Sequence, residues 1–187
     1  VASDKKIFII AGPSAVGKNA IMDGLLKTDL PLQRMLTTTS RPRRPGDRPN
    51  EYHFVSQAEF MTLVKEDKMI EWVEYNRNLY GTRRQDLADI FAAGKFPIMD
   101  IDVRGVDFFK EHFPGTVSIF ILPSSLSILR RRLEARGTAE SDIRDRLKTA
   151  QEEIKQAPTF DYRIINYDGR LANVVKEVAD IIRQELN

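Results

Sequence analysis

The stretch "IAGPSAVGKNA", Ile10 to Ala20, carries the first recognisable chemistry of the chain. Gly12, Gly17 and Lys18 fit the pattern G-x-x-x-x-G-K. The two glycines let backbone N–H groups turn inward around a phosphate, the helix that follows adds its positive end, and the lysine reaches the outer phosphates. The pattern ordinarily closes on Ser or Thr, whose hydroxyl touches Mg²⁺, yet Asn19 stands there. An amide oxygen still faces the metal's water shell, and Mg²⁺ keeps several of its waters, so the site is expected to tolerate the change. The competing reading is a glycine-rich turn with a surface lysine.

A second cluster, "TTTSRPRR", offers Thr37, Thr38 and Thr39 and then Arg41, Arg43 and Arg44 in a chain stiffened by Pro42 and Pro45. Arginine forks grip phosphate oxygens in pairs, and prolines lower the entropy cost of holding them ready. Read alone, it is a solvated basic loop. Read beside a phosphate loop, it points to two phosphorylated substrates. Asp100 and Asp102 end an apolar run and share a face if that run is a strand. There they can hold metal-bound water, accept from a substrate amine, or cap the next helix. Arg132 and Arg136, four apart, share a helical face; read alone, they are ordinary helix surface. His53 and His112 have no partners at metal-ligand spacing.

These residues need a scaffold. "KKIFIIAG" reads as a strand feeding the glycine loop, and "NAIMDGLLKTD" as the helix after it. The order repeats with "FPIMDID", "VRGVDFFKEHF" and "TVSIFIL". "SSLSILRRRLEAR" follows as a helix capped by Ser124 or Ser125, then "SDIRDRLKTAQEEIKQA" as another, "YRIIN" as a strand and "RLANVVKEVADIIRQEL" as a closing amphipathic helix. Strand–helix alternation implies a parallel sheet covered on both faces with right-handed crossovers. From about Gln33 to Gly81 the rhythm breaks into short strands around "HFV" and "MIEWVEYNRNLYGT", read as a small insertion built of β-hairpins.

The composition is that of a single globular domain: 187 residues, 42% apolar and 30% charged. A net charge of +2 is too small for a surface that tracks nucleic acid, so phosphate binding must be local. With no cysteine there is neither a disulfide nor a thiolate metal site. No apolar run is long enough to cross a bilayer, and neither a membrane nor nucleic acid is an expected partner.

In order along the chain, "GPSAVGK", "TSRPRRPGD", "EYHFV", "IEWVEY", "YGT", "DIDVRG", "IFILPSS", "RRLEARGT" and "IIN" resemble the motifs of the guanylate kinase family, from about Phe8 to Ile182. Each motif is short; their joint order is specific. The resemblance implies a P-loop α/β fold, three-layer α/β/α with a parallel-sheet core, an inserted β-rich GMP-binding subdomain and a helical lid. The core would comprise 1–32, 94–122 and 151–187, the insertion 33–93 and the lid 123–150. It implies Mg²⁺-dependent transfer of the ATP γ-phosphoryl group to GMP, and to dGMP, giving ADP and GDP.

By the same resemblance, ATP falls to Gly12, Pro13, Ser14, Ala15, Val16, Gly17, Lys18, Asn19 and Ala20, with Asn166 against adenine. Arg41, Arg44, Tyr52 and Tyr80 correspond to the clamp on the GMP phosphate. Glu71 corresponds to the guanine reader, assisted by Thr37, Thr82 and Asp102; a carboxylate accepts from both N1–H and the exocyclic amine of guanine, whereas adenine presents an acceptor at N1. Lys18, Asp100, Arg132, Arg136 and Arg146 correspond to the catalytic set, and Asn19 and Asp100 would share the Mg²⁺ environment, partly through water. Without the resemblance, Glu71 reads as a solvent-facing carboxylate on a hairpin beside Trp72.

The chain departs from the family pattern at Asn19, at Ala15 in place of a frequent Gly, at Arg43 where Pro is usual, and at Asp47 in place of Glu in a loop one residue shorter. "TSRP" and "DGRL" resemble bacterial and plastid-type relatives. The cytoplasm, or a plastid or other organelle after removal of a transit peptide, is the expected compartment, and a monomer or homodimer the expected state. Two alternatives stand beside the enzyme. One is a catalytically inactive phosphopeptide-binding module of the same fold, which would have an eroded phosphate loop. The other is a related kinase acting on a phosphorylated sugar, which would lack Glu71 and Asp102.

Overall fold

The computed structural model describes residues 5–187. The chain divides into two compact units, one made of residues 1–32 and 98–187 and the other of residues 33–97.

In the first unit the apolar run becomes strand β1, Ile7–Ala11, with every residue buried. A strand apolar at consecutive positions has both faces covered, as a parallel sheet requires. The sheet runs β2 (Leu32–Arg34), β7 (Phe96–Asp100), β1, β8 (Thr116–Pro123), β9 (Tyr162–Asn166), and β1 pairs in parallel with β7 and β8. The registers set Ile10 opposite Asp100, Ala11 opposite Phe120 and Pro123 opposite Asn166. The carboxyl ends of the strands therefore gather at one edge, where open α/β sheets bind ligands.

Helices α1 (Lys18–Leu25), α4 (Val103–His112), α5 (Leu126–Ala135), α6 (Glu140–Lys155) and α7 (Leu171–Leu186) complete the unit. Helix α7 buries Val174, Val178, Ala179 and Ile182, a single apolar stripe. Phe120 packs edge-on to Phe160, with centroids 5.0 Å apart. Ser125 stands at the N-cap of α5, but its hydroxyl meets that of Ser127 at 2.8 Å instead of capping the helix.

The second unit holds a four-stranded sheet in the order β4 (Tyr52–Phe54), β3 (Thr37–Thr39), β6 (Asn78–Arg83), β5 (Met69–Tyr75). The expectation of a small insertion built of β-hairpins is corrected in two respects. Only β5–β6 is a hairpin, turned at Asn76 and Arg77 with φ of 48° and 61°, whereas β3 and β4 run parallel. Two helices also belong here, α2 (Gln57–Lys65) and α3 (Arg84–Ala92). Helix α2 opens on a capping box: Glu59 N–H donates to Ser56 Oγ at 3.1 Å, and Ser56 N–H to Glu59 Oε2 at 2.7 Å. Its Phe60 packs with Met69 and Leu79 beneath the sheet. Among the described residues no helix is long and apolar enough to cross a membrane.

Candidate nucleotide sites

The loop from Gly12 to Lys18 joins β1 to α1, and its shape follows from three backbone angles. Gly12 has φ 139° and Gly17 φ 110°, values that L side chains rarely adopt. A Cβ on Gly12 would stand 2.4 Å from the carbonyl oxygen of Ile121, so glycine is also demanded by close packing. Ala15 is left-handed too, with φ 65°. An alanine pays about 1–2 kcal/mol for that region. Val16 N–H donates to Pro13 O at 3.2 Å and closes the turn.

Lys18 folds back over this loop. Its Nζ donates to Gly12 O at 2.6 Å and Pro13 O at 3.4 Å, and lies 3.8 Å from Asp100 Oδ1. Asn19 and Ala20 follow in the first turn of α1, at its positive end. Arg146 Nη1, from α6, donates to Ser14 Oγ at 3.0 Å. Arg132, from α5, donates through Nη1 to Ala15 O at 3.1 Å and Val16 O at 3.0 Å, and through Nη2 to Asp168 Oδ1 at 3.2 Å. Asn166 is 3% exposed and donates to Val16 O at 2.7 Å. Its side-chain amide thus engages the back of the loop. Arg136 is exposed at the end of α5 and pairs with nothing among the described residues.

The second unit gathers a different set. The registers place Tyr52 opposite Thr37, Thr37 opposite Thr82, and Thr82 opposite Glu71, one row across all four strands. Residues directly opposite share a face, so these four side chains project together, with Thr39 and Tyr80 two positions along on the same face. Thr82 Oγ1 donates to Glu71 Oε1 at 2.7 Å. Burial pushes the Glu71 carboxyl up from its ordinary value, and the Thr82 bond offsets part of that. The solvent-facing alternative holds for its neighbour instead: Trp72 is 44% exposed.

Arg41 is only 6% exposed. Its guanidinium grips Asp47 with two parallel bonds, 3.0 Å to Oδ2 and 2.8 Å to Oδ1, and lies over the rings of Tyr52 and Phe54 at 5.3 and 5.5 Å. The fork geometry that holds this carboxylate is the one that holds phosphate. Arg44 N–H also donates to Asp47, at 2.5 Å. The Arg41 bond, with help from Arg44, holds the Asp47 carboxyl down at about 2. Asp102, assigned from sequence to the same ligand, belongs to the first unit.

Sequence reading marked Asp47 only as a departure and did not foresee it as Arg41's partner, although an acid six residues after an arginine in a proline-turned loop is a usable signal. It missed Asp168 altogether. His53 Nε2 lies 2.9 Å from Asp86 Oδ2, and His112 stacks on Phe108. Among the described residues no three His, Cys, Asp or Glu side chains cluster to hold a metal.

Backbone amides wrapped between a central parallel strand and its helix, with a lysine folded over them, are the phosphate grip of the P-loop α/β class. The comparisons carry this further. The family model described as "Guanylate kinase" matches residues 4–185. The guanylate kinase of Bdellovibrio bacteriovorus is 39% identical over 95% of this chain and 98% of its own length, and that of Synechocystis sp. is 38% identical over 94% of each. The crystal structure of guanylate kinase from Anaplasma phagocytophilum superposes with a TM-score of 0.74 at 30% identity, covering 98% of this chain and 87% of that one. This chain belongs to the guanylate kinase family.

Proposed function

We propose that the protein transfers the γ-phosphoryl group of ATP to GMP, giving ADP and GDP, and to dGMP, giving ADP and dGDP. The observation that carries this reading is the Glu71 carboxylate, half-buried, held by Thr82 and sharing a sheet face with Thr37, Tyr52 and Tyr80. Such an acceptor suits the paired N–H donors of guanine and leaves adenine's N1 acceptor unmatched. Arg41, Arg44, Tyr52 and Tyr80 take the acceptor's phosphate, and Thr37 and Thr82 complete the reading of the base. Gly12 to Ala20 cradle the donor's phosphates, and Lys18 offsets their charge. Arg132 and Asn166 hold the loop and border the donor, while Arg136 and Arg146 bear on the transferring group. No enzyme-bound covalent intermediate is needed: the protein orients two anions and excludes water from them.

The residues present fit Mg²⁺. Its ligands are hard oxygens, and it takes only one or two from protein when phosphates supply others; Asp100 offers such an oxygen beside the loop, with Oδ1 3.8 Å from Lys18 Nζ. Asp100 and Asn19 would hold it, partly through water. When bound, the ion neutralises charge on the donor's outer phosphates. The phosphopeptide-module alternative calls for an eroded loop, whereas Gly12, Gly17, Lys18, Asp100, Arg132, Arg136 and Arg146 are all in place.

The test is a coupled assay of ADP release with GMP, AMP, UMP or no acceptor. Rapid signal is expected with GMP alone; equal rates with AMP would overturn the base assignment. Asn19→Ser is expected to change kcat by less than about tenfold, ~1.4 kcal/mol of barrier. A gain of several orders of magnitude in the same assay would mean that the natural loop is crippled.

A further inference from the structure

Asp168 lies two residues beyond the end of β9, just before Gly169, whose φ of 70° turns the chain toward α7. Its carboxylate accepts from Nη2 of Arg131 and from Nη2 of Arg132. Arg132 spends its other terminal nitrogen on the carbonyls of Ala15 and Val16, and Val16 O takes a second donor from Asn166. Two groups, Arg132 from α5 and Asn166 from β9, thus converge on two consecutive peptide units of the phosphate loop, and Asp168 from the β9–α7 turn stands behind the first of them. Those units include the left-handed Ala15, the point where a non-glycine loop is strained and needs outside support.

Peptide planarity turns this bracing into a statement about ligand binding. In a trans peptide the C=O and the N–H of one unit point in opposite directions. The unit bearing Ala15 O carries Val16 N–H, already committed to Pro13 O. The unit bearing Val16 O carries Gly17 N–H. Drawing Val16 O outward onto Arg132 and Asn166 therefore aims Gly17 N–H the other way, into the cradle. Arg131 and Arg132 are adjacent like charges. Asp168 lies between their guanidinium groups and offsets the repulsion that would draw Arg132 off the loop.

We propose that Asp168 is a positioning residue for the donor nucleotide: by anchoring Arg132 it fixes the peptide plane that presents Gly17 N–H to phosphate. This rests on the reading of the loop as the ATP site. A bare surface ion pair would do little. The side chains of Asp168 and Arg131 are 51% and 63% exposed, and such pairs are largely screened. The consequence of losing Asp168 should therefore fall on nucleotide binding, with little change in thermal stability.

The experiment is equilibrium titration of ATP into the full chain, which needs no turnover. Asp168→Ala is expected to weaken ATP binding about fivefold to tenfold, to leave the dissociation constant for GMP unchanged, and to raise KM for ATP with kcat within about threefold, the pattern of lost uniform binding. Asp168→Glu should restore most of the affinity. In the Arg132→Ala background, Asp168→Ala should have no further effect, because the carboxylate acts through that guanidinium. Three results would each overturn the proposal: unchanged ATP affinity in Asp168→Ala, fully additive losses in the double variant, or GMP affinity falling in step with ATP affinity. Failure of the kinase reading looks different: a wild-type chain that binds ATP with the Asp168 dependence described but releases no ADP with GMP.

Discussion

Glu71→Ala is expected to lower kcat/KM for GMP by about three orders of magnitude while ATP titrates as in the wild type. Guanine offers two neighbouring donors, and under the proposed function Glu71 is their paired acceptor. A site built to hydrogen-bond its ligand loses far more when a partner is removed than an apolar pocket does, since buried polar groups are stranded. Glu71→Gln keeps the shape but presents a donor where an acceptor is required, so it should recover little. Comparable weakening of ATP and GMP would contradict the assignment of Glu71 to the base.

The charge on Glu71 adds a pH dependence whose sign is fixed. Burial raises its pKa, so protonation sets in at higher pH than for an ordinary glutamate. Only the ionised carboxylate accepts from both guanine donors. KM for GMP should therefore climb as pH falls through that raised value, with KM for ATP flat across the same window, and Glu71→Gln should lose this feature of the GMP profile. For the fold the sign is reversed. The native state holds the Glu71 proton more tightly than the unfolded chain does, so its share of stability is present below the unfolded pKa, lost as pH rises through the folded one, and absent at neutrality. Glu71→Gln should accordingly melt no lower than the wild type at pH 7. That outcome marks a residue kept for recognition at some cost to stability.

What the sequence makes legible here is what its local pattern encodes. The phosphate loop, β1 and α1 are contiguous, and glycine spacing between an apolar run and a helical one specifies them almost completely. The parallel order of β1, β7 and β8 follows from alternation with helices. The small sheet is harder: the direction of β3 against β4 depends on how the twelve or so residues between them return, which no period in the chain encodes. Helix α2 was legible in principle through Ser56 and Glu59, but the aromatic residues around it read as strand. Side-chain pairs distant in sequence were least accessible. Asn166 on Val16 and Asp168 on Arg132 join residues brought together only by the sheet. Ala15 shows the converse: an alanine gives no local signal for a left-handed turn, yet it adopts one, with its carbonyl held by Arg132.

Lys18→Met is expected to reduce kcat by about three orders of magnitude, ~4 kcal/mol of barrier, the scale for removing one preorganised charge from a transferring centre. Methionine keeps the unbranched stem and removes only the ammonium. Its Nζ lies over Gly12 O and Pro13 O and near Asp100, so the lost charge sits at the mouth of the loop and not on the surface. Lys18→Arg should fail to rescue, because a planar fork cannot replace a compact point charge inside a loop of this radius. Removing the ammonium also leaves the buried Gly12 carbonyl without that donor, at about 1–3 kcal/mol. A domain stable by roughly 5–15 kcal/mol stays folded under that loss, and a melting curve checks it. The two large effects then separate cleanly. Lys18→Met slows turnover whichever acceptor is supplied and leaves the GMP dissociation constant intact, whereas Glu71→Ala acts on GMP alone. If the two variants gave the same pattern across ATP and GMP, the division of labour between the loop of the first unit and the sheet face of the second would have to be abandoned.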